Sequence, residues 1–235
     1  METNVFKLAA DIAAHLIWPL TCPVCGRIGV SHCPECLASV FAPFPQFCLD
    51  CGGSYSAKCC HLSTPAYAAS SHDGLPRQFL LNLKYRNIRD LGIPMGRLVA
   101  SCAPLAKADI IVPIPLHIKS NREYNQAELL ARGMGEILNL DIAADILCWD
   151  KELSRQTEKH GRERKSLPPN SFSVKRELNG LDIILVDDVY TTGGTARAAK
   201  EAVLKAGGNV TGAFFWSRRT THGESDASWR GITED

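Results

Sequence analysis

The chain lacks any apolar run approaching the roughly 18 residues that a membrane-crossing helix needs, so no integral membrane segment is predicted. It also lacks an excess of either charge: 26 Lys and Arg stand against 25 Asp and Glu, a net charge of +1. A chain basic throughout is excluded, and any contact with nucleic acid has to come from a local patch. No internal repeat is present apart from short cysteine pairs. A signal peptide is not expected either. Val5, Leu8, Ala9, Ile12, Leu16 and Ile17 have helical spacing, but Asp11 and His15 interrupt the stretch and no small-residue cleavage site follows. The expectation there is an amphipathic helix packed on the following domain, with peripheral membrane contact as the alternative.

What the chain does have is cysteine, ten in all. Eight of them, Cys22, Cys25, Cys33, Cys36, Cys48, Cys51, Cys59 and Cys60, fall within one short stretch, while Cys102 and Cys148 stand alone. Without an export signal, clustered C-x-x-C pairs predict metal ligands in a cytoplasmic protein rather than disulfides. Cys22-Pro-Val-Cys25-Gly26 has the form of a zinc knuckle, whose glycine permits the turn that aims backbone N–H groups at the thiolates. Cys33-Pro-Glu-Cys36 and Cys48-Leu-Asp-Cys51-Gly52 repeat the spacing, and Cys59 with Cys60 supplies a fourth pair. These residues predict one or two structural zinc ions, and spacing leaves open which pairs share an ion. His32 and His61 are read as surface histidines. Phe41, Phe44, Phe47 and Tyr55 are read as packing around the knuckles, with stacking on bases as the alternative.

From about Thr64 the pattern changes. Helical spacing over Pro76–Leu83, Leu91–Ser101, Asn125–Leu138 and Thr195–Ala206 alternates with short apolar runs at Asp109–Ile114, Asp182–Val186 and Val210–Trp216. Alternating helices and continuous apolar strands predict an α/β fold with a twisted parallel sheet and flanking helices. The expected division is a Cys-rich module over 1–62, an α/β domain over 63–219 and a polar tail over 220–235.

Ile183 to Thr195, IILVDDVYTTGGT, carries the most chemistry. An apolar strand ends at two carboxylates, and small residues then turn the chain into a helix. In an open parallel sheet this is where ligands bind. Gly193 and Gly194 permit close backbone approach, so successive N–H groups can converge on a phosphate beside the helix N-terminus, with Thr191, Thr192 and Thr195 adding hydroxyls. Asp187 and Asp188 are acceptors, suited to sugar hydroxyls or Mg²⁺ rather than to phosphate. The stretch resembles the binding motif of the type I phosphoribosyltransferases for phosphoribosyl pyrophosphate (PRPP). The resemblance implies that Asp187 and Asp188 hold the ribose, that Tyr190 to Thr195 form the 5′-phosphate loop, and that Mg²⁺ accompanies PRPP. Another sugar phosphate is the alternative ligand.

A pyrophosphate group needs cations from elsewhere. The loop after Ile114 supplies Lys119, Arg122, Asn125 and Gln126, and Lys84 and Arg86 form a further basic cluster. Between Lys151 and Arg176, eight Lys or Arg accompany three Glu, which suits a segment that closes over a polyanion. The order of N-terminal cysteine pairs, LKYR, VPIPLH…REYNQAELLAR, RQT…ER and LVDDVYTTGGT resembles the ComF family across roughly Trp18 to Arg218. That resemblance implies a double zinc ribbon joined to a type I phosphoribosyltransferase-like domain. It also implies a role in natural competence, the uptake of single-stranded DNA, with single-stranded DNA and uptake-machinery proteins as candidate partners at the inner face of the membrane. Arg122, Asp187 and Asp188 become the candidate catalytic residues. Two departures stand out. Glu123 occupies a place where the family usually has Gly, putting negative charge where pyrophosphate would approach, and Leu167 stands where Asn is common, while Gln156, Glu163, Arg164 and Phe172 match. Three functions follow as expectations: a ComF-type PRPP-binding protein with or without turnover, a nucleobase-salvage phosphoribosyltransferase, or a non-catalytic PRPP-sensing or DNA-binding adaptor.

Overall fold

Helical and extended segments follow one another because the apolar spacing switches between their two periods. The computed structural model describes residues 20–56, 59, 64–103, 105–117, 120–150 and 170–219. Its strands are β1 (Phe47–Cys48), β2 (Pro65–Ala68), β3 (Ile110–Pro113), β4 (Asp141–Ile142), β5 (Leu147–Trp149), β6 (Phe172–Val174), β7 (Asp182–Tyr190) and β8 (Asn209–Arg218). Its helices are α1 (Pro34–Ala38), α2 (Gly74–Tyr85), α3 (Gly92–Ala100), α4 (Gln126–Leu138) and α5 (Gly194–Lys205). Six strands form one sheet in the order β1-β2-β8-β7-β3-β4, with every neighbouring pair parallel except β1 and β2. β5 and β6 make a separate antiparallel pair. The fold is mixed α/β with a mostly parallel sheet, as expected.

Side chains on a strand alternate between faces, and both faces of this sheet are buried. Ile183 and Leu185 of β7, Val112 of β3 and Phe215 of β8 pack on one side with Ala196, Ala199 and Val203 of α5. Ile184, Val186, Ile111, Phe214 and Trp216 pack on the other with Leu83, Met95, Leu130 and Met134 of the remaining long helices. This explains why the strands read as continuous apolar runs rather than as alternating ones.

The connections open a crevice at one edge of the sheet. From β3 the chain crosses through α4 outward to β4, whereas from β7 it crosses through α5 in the opposite direction to β8. Right-handed crossovers running in opposite directions put their helices on opposite faces. The loops leaving β3 and β7 therefore diverge, and a crevice opens between them at the carboxyl edge. Asn125 begins α4 as its N-cap, its side chain accepting from Ala127 N, and Asn139 ends it in the left-handed conformation at φ 54°.

α3 and α4 cross at backbone contact, which only glycine allows. A Cβ at Gly96 would lie 2.1 Å from Leu130 O, and one at Gly133 would lie 2.1 Å from Ile93 O. Both clashes are with main-chain atoms, so no rotamer change relieves them. Gly133→Ala is expected to cost about 3 kcal/mol or more, at the upper end of overpacking effects. Urea unfolding checks this, and a cost below about 1 kcal/mol would show that the helices separate freely.

Helix and strand boundaries differ from expectation by a few residues at most, with one exception. β7 runs to Tyr190 rather than stopping at Val186, so both aspartates lie within the strand. Among the described residues no helix is long and apolar enough to cross a membrane. The amphipathic segment expected before residue 20, Lys119, Cys60, His61, the basic segment over 151–169 and the tail from 220 lie outside the described residues.

Candidate functional site

Because Asp187 and Asp188 are consecutive on β7, their side chains leave opposite faces of the strand. Asp188 turns towards α2 and pairs with Lys84, Nζ to Oδ2 at 2.8 Å, with both side chains only 14% exposed. Asp187 lies on the α5 side and lines a hollow with Thr191, Gly193, Gly194 and Thr195. Its Oδ1 accepts from Asp188 N at 2.7 Å. Burial is the main force on its carboxyl, and the Asp188 charge adds to it. Together they push its pKa up to about 8 against the weaker pull of the Asp188 N–H, Lys84 and Arg122. At neutral pH Asp187 therefore holds a proton, and a cation or a donor hydroxyl arriving in the crevice would favour its release.

The turn after β7 is shaped by Gly193, which sits in the left-handed region at φ 74° and caps α5. The Arg197 guanidinium reaches back from the first turn of the helix, Nη1 donating to Thr192 O at 2.8 Å. Thr191 and Thr192 are exposed while Gly193 is buried. The hydroxyls thus face solvent, and the backbone bends tightly around the N-terminal end of α5. A tight glycine turn at a helix N-terminus is a kind of place where anions can bind. Tyr190, in contrast, turns inward, donating its hydroxyl to Leu49 O at 3.2 Å.

Across the crevice, a cleft of about 440 Å³ is lined by Lys84, Tyr85, Asn87, Ser120, Arg122 and Glu123, among others. Gln126, fully buried, accepts from Arg122 Nη1 at 2.9 Å. The Arg122 guanidinium also lies 5.4 Å over the Tyr85 ring. Asn125 spends its side chain on the loop itself, donating to Ile114 O and capping α4. Glu123 has a partner that sequence alone did not suggest. Its Oε2 accepts from Arg89 Nη2 at 2.7 Å and from Asn87 Nδ2 at 3.1 Å. Its backbone is not in the positive-φ region that favours glycine. The charge expected to oppose a pyrophosphate is therefore opposed by Arg89, in an exposed pair that contributes little to stability.

His72 escaped the sequence reading because nothing in its neighbourhood marks it. Its Nδ1 lies 2.8 Å from Ser217 Oγ. Burial, then the charges of Lys84, Arg219 and Arg77, hold its pKa below the usual value, with Asp188 pulling the other way.

The cysteines assort by neighbouring pairs. Sulphur atoms of Cys22, Cys25, Cys33 and Cys36 lie within 4.8 Å of one another, and so do those of Cys48, Cys51 and Cys59. A tetrahedral zinc site with Zn–S bonds of about 2.3 Å has sulphurs roughly 3.8 Å apart. The Cys25–Cys33 and Cys51–Cys59 separations of 3.6 and 3.2 Å are compatible with that, so both clusters could bind zinc. Gly26 and Gly52 adopt φ 70° and 74°, and each donates its N–H to the first cysteine's carbonyl, Cys22 O and Cys48 O. The pair Cys33 and Cys36 does not repeat that turn. Pro34 stands at the first position of α1 and no glycine follows Cys36, so the second cysteine rides on a helix. His32 bonds Ser31 and is not part of either cluster. Phe47 is fully buried in the core on one side of the sheet with Phe44 against it, and Phe41 packs against the core on the other side.

No family model matches the chain. Among curated proteins it is 27% identical over 201 residues to the DNA utilization protein YhgH of Salmonella typhi, covering 79% of this chain and 85% of that one. It is 36% identical over 101 residues to the Competence protein ComFC of Bacillus subtilis, covering 42% and 39%. The chain thus has homologues named DNA utilization protein YhgH and Competence protein ComFC. Among solved structures it is similar to the adenine phosphoribosyltransferase of Thermoanaerobacter pseudethanolicus, with a TM-score of 0.39 and 16% identity over 80% of this chain and 97% of that one.

Proposed function

We propose that the chain is a ComF-type PRPP-binding protein acting in the handling of single-stranded DNA during its uptake into the cytoplasm. The observation that carries this reading is the pairing, at the topological switch point, of a tight glycine turn at a helix N-terminus with two carboxylates on the adjoining strand. Thr191 to Thr195 would take the 5′-phosphate, and Asp187 and Asp188 the ribose 2′- and 3′-hydroxyls. Lys84, Arg122 and Lys119 would face the pyrophosphate, while Asn125 and Gln126 hold the loop and orient Arg122 rather than contacting ligand. Residues 1–62 would form the zinc-organised module and 63–219 the ligand-binding domain.

Mg²⁺, when bound with PRPP, would offset pyrophosphate charge and favour its departure. The chain's own contribution is positional and electrostatic. Arg122 and Lys84 would offset the negative charge of the bound pyrophosphate. Lys84 also keeps Asp188 aligned. Arg89 would offset the charge of Glu123 beside the bound ligand.

The test of the phosphate turn is Gly193→Ala. A Cβ there would sit 2.8 Å from Arg197 Nη1 and from the Tyr190 hydroxyl, on a backbone at φ 74°. Affinity for ribose 5-phosphate is expected to fall by about 100-fold, as misplacement of a binding group by ~1 Å can do. Wild-type affinity in the variant would remove the turn from the binding site. Pyrophosphate release from Mg–PRPP with a panel of free bases separates the salvage reading, which requires release with at least one base. Binding to single-stranded DNA that weakens steeply with salt is expected of the uptake role.

A further inference from the structure

The two cysteine clusters are not equivalent. Residues beside the first, Leu37 and Val40, pack into the core on the α2–α4 side of the sheet. The second cluster is built into the back of the phosphate turn. Between its ligands Cys48 and Cys51 lie Leu49 and Asp50, and their carbonyls accept from the two residues that shape the turn. Leu49 O takes the Tyr190 hydroxyl at 3.2 Å, and Asp50 O takes Arg197 Nη1 at 3.0 Å. The same Nη1 donates to Thr192 O, so one nitrogen joins the cysteine loop to the turn.

The cysteine loop is in turn anchored to α5. Lys200 Nζ contacts both carboxylate oxygens of Asp50, at 2.9 and 2.8 Å, in a pair whose lysine is 8% exposed. Asp50 Oδ2 also accepts from Thr64 N at 3.3 Å. On the far side of the knuckle glycine, Gly52 O accepts from Arg218 Nη2 at 2.7 Å, and Arg218 lies over the Phe47 ring. A Cβ at Gly52 would stand 3.1 Å from the Tyr190 hydroxyl. Apart from the Arg218–Phe47 stacking, each of these contacts is made by Leu49, Asp50 or Gly52, which lie between or beside Cys48 and Cys51, so an ion tying those thiolates to Cys59 would help to fix them in place.

We infer that the Cys48, Cys51 and Cys59 cluster is a metal-dependent buttress of the phosphate turn, with Arg197 as the positioning residue that transmits it. This rests on the PRPP reading only for the identity of the ligand. Metal bound there orders Leu49 and Asp50, those carbonyls hold Tyr190 and Arg197, and Arg197 holds Thr192 in the anion-binding bend. The first cluster has a different task and its metal does not set the turn.

The test uses the full chain and reads amide hydrogen exchange over Thr191–Thr195 alongside the affinity for Mg–PRPP and the zinc content. Cys51→Ser is expected to lose the second zinc, to raise exchange in the turn by about tenfold and to weaken Mg–PRPP comparably, the scale of a binding group left loosely held. Cys25→Ser, which disrupts the first cluster, is expected to leave exchange in the turn within about twofold. Arg197→Met keeps all the thiolates and both zincs, so it remains informative if Cys51→Ser misfolds. It should raise exchange to the same degree, and Arg197→Lys should restore part of the protection. In the Arg197→Met background, Cys51→Ser should add less than about threefold, because the route is already cut. Unchanged exchange in either Cys51→Ser or Arg197→Met overturns the inference, as does an equal effect of Cys25→Ser. A wild type that fails to bind Mg–PRPP would refute the PRPP reading alone, since the exchange measurements still decide the coupling.

Discussion

Asp187→Asn and Asp188→Asn are expected to change stability in opposite directions. Asp187 is protonated in the folded chain up to about pH 8, whereas an unfolded aspartate releases its proton near pH ~4. Its folded pKa is raised, so its contribution to stability is fully present below pH ~4 and is lost as the pH climbs through 8. Above that pH a charged carboxylate is held where burial disfavours it. Asn has nearly the same shape and no charge, and each pKa unit of elevation corresponds to about 1.4 kcal/mol. Asp187→Asn should therefore stabilise the chain by at least ~1 kcal/mol at pH 9 and flatten its stability between pH 5 and 9. Asp188→Asn does the reverse. It leaves Lys84 charged and 14% exposed without its counter-ion, and breaking a largely buried pair in this way costs about 3 kcal/mol. Denaturant melts of both variants across this pH range check the contrast. A matching loss of stability in the two would mean that Asp187 is not held protonated.

Affinity for Mg–PRPP should rise with pH between 7 and 9. Ligand hydroxyls and a divalent cation both favour the ionised form of Asp187, so binding near neutral pH must release its proton. With a pKa of about 8, the ionised fraction grows roughly tenfold from pH 7 to pH 9, and apparent affinity should grow with it. The same linkage predicts close to one proton released at pH 7, read as the dependence of binding heat on the ionisation enthalpy of the buffer. Asp187→Asn removes both effects. Affinity independent of pH, with no proton released by the wild type, would place the ligand away from this carboxyl.

The sheet was legible because its strands are apolar on both faces. Ile183–Val186, Ile111–Val112 and Ala213–Trp216 each bury consecutive residues, and such runs are recognisable one at a time. β2 was not, since Pro65-Ala66-Tyr67-Ala68 has small residues and no apolar run, and it becomes a strand by pairing with β1 and β8. The glycine turn after β7 was legible for a local reason: its geometry is made by adjacent residues. What surrounds it is made by contacts across more than a hundred positions, and these leave no mark in spacing. Asp50 reads as an ordinary residue inside a C-x-x-C pair, yet it holds Lys200, 150 residues away. Arg89 and Glu123 likewise stand 34 residues apart, so the sequence displayed an unopposed Glu123 where the folded chain has an ion pair. Cysteine assortment was undetermined for a similar reason. Neighbouring and interleaved pairings satisfy the same spacing, and only the course of the chain brings Cys22 and Cys25 to Cys33 and Cys36.

The central claim is that the strand and turn from Ile183 to Thr195 bind PRPP through the aspartate pair. Titration calorimetry with Mg–PRPP at pH 8, on the wild type and on the double variant Asp187→Asn/Asp188→Asn, tests it most directly. Hydrogen bonds to charged groups contribute about 1.5–3 kcal/mol each, so loss of two carboxylates should weaken binding by at least ~100-fold. Saturable one-site binding by the wild type and none measurable by the variant is the predicted result. Equal affinity in the two proteins, or no binding by a wild type that carries its zinc, would contradict it.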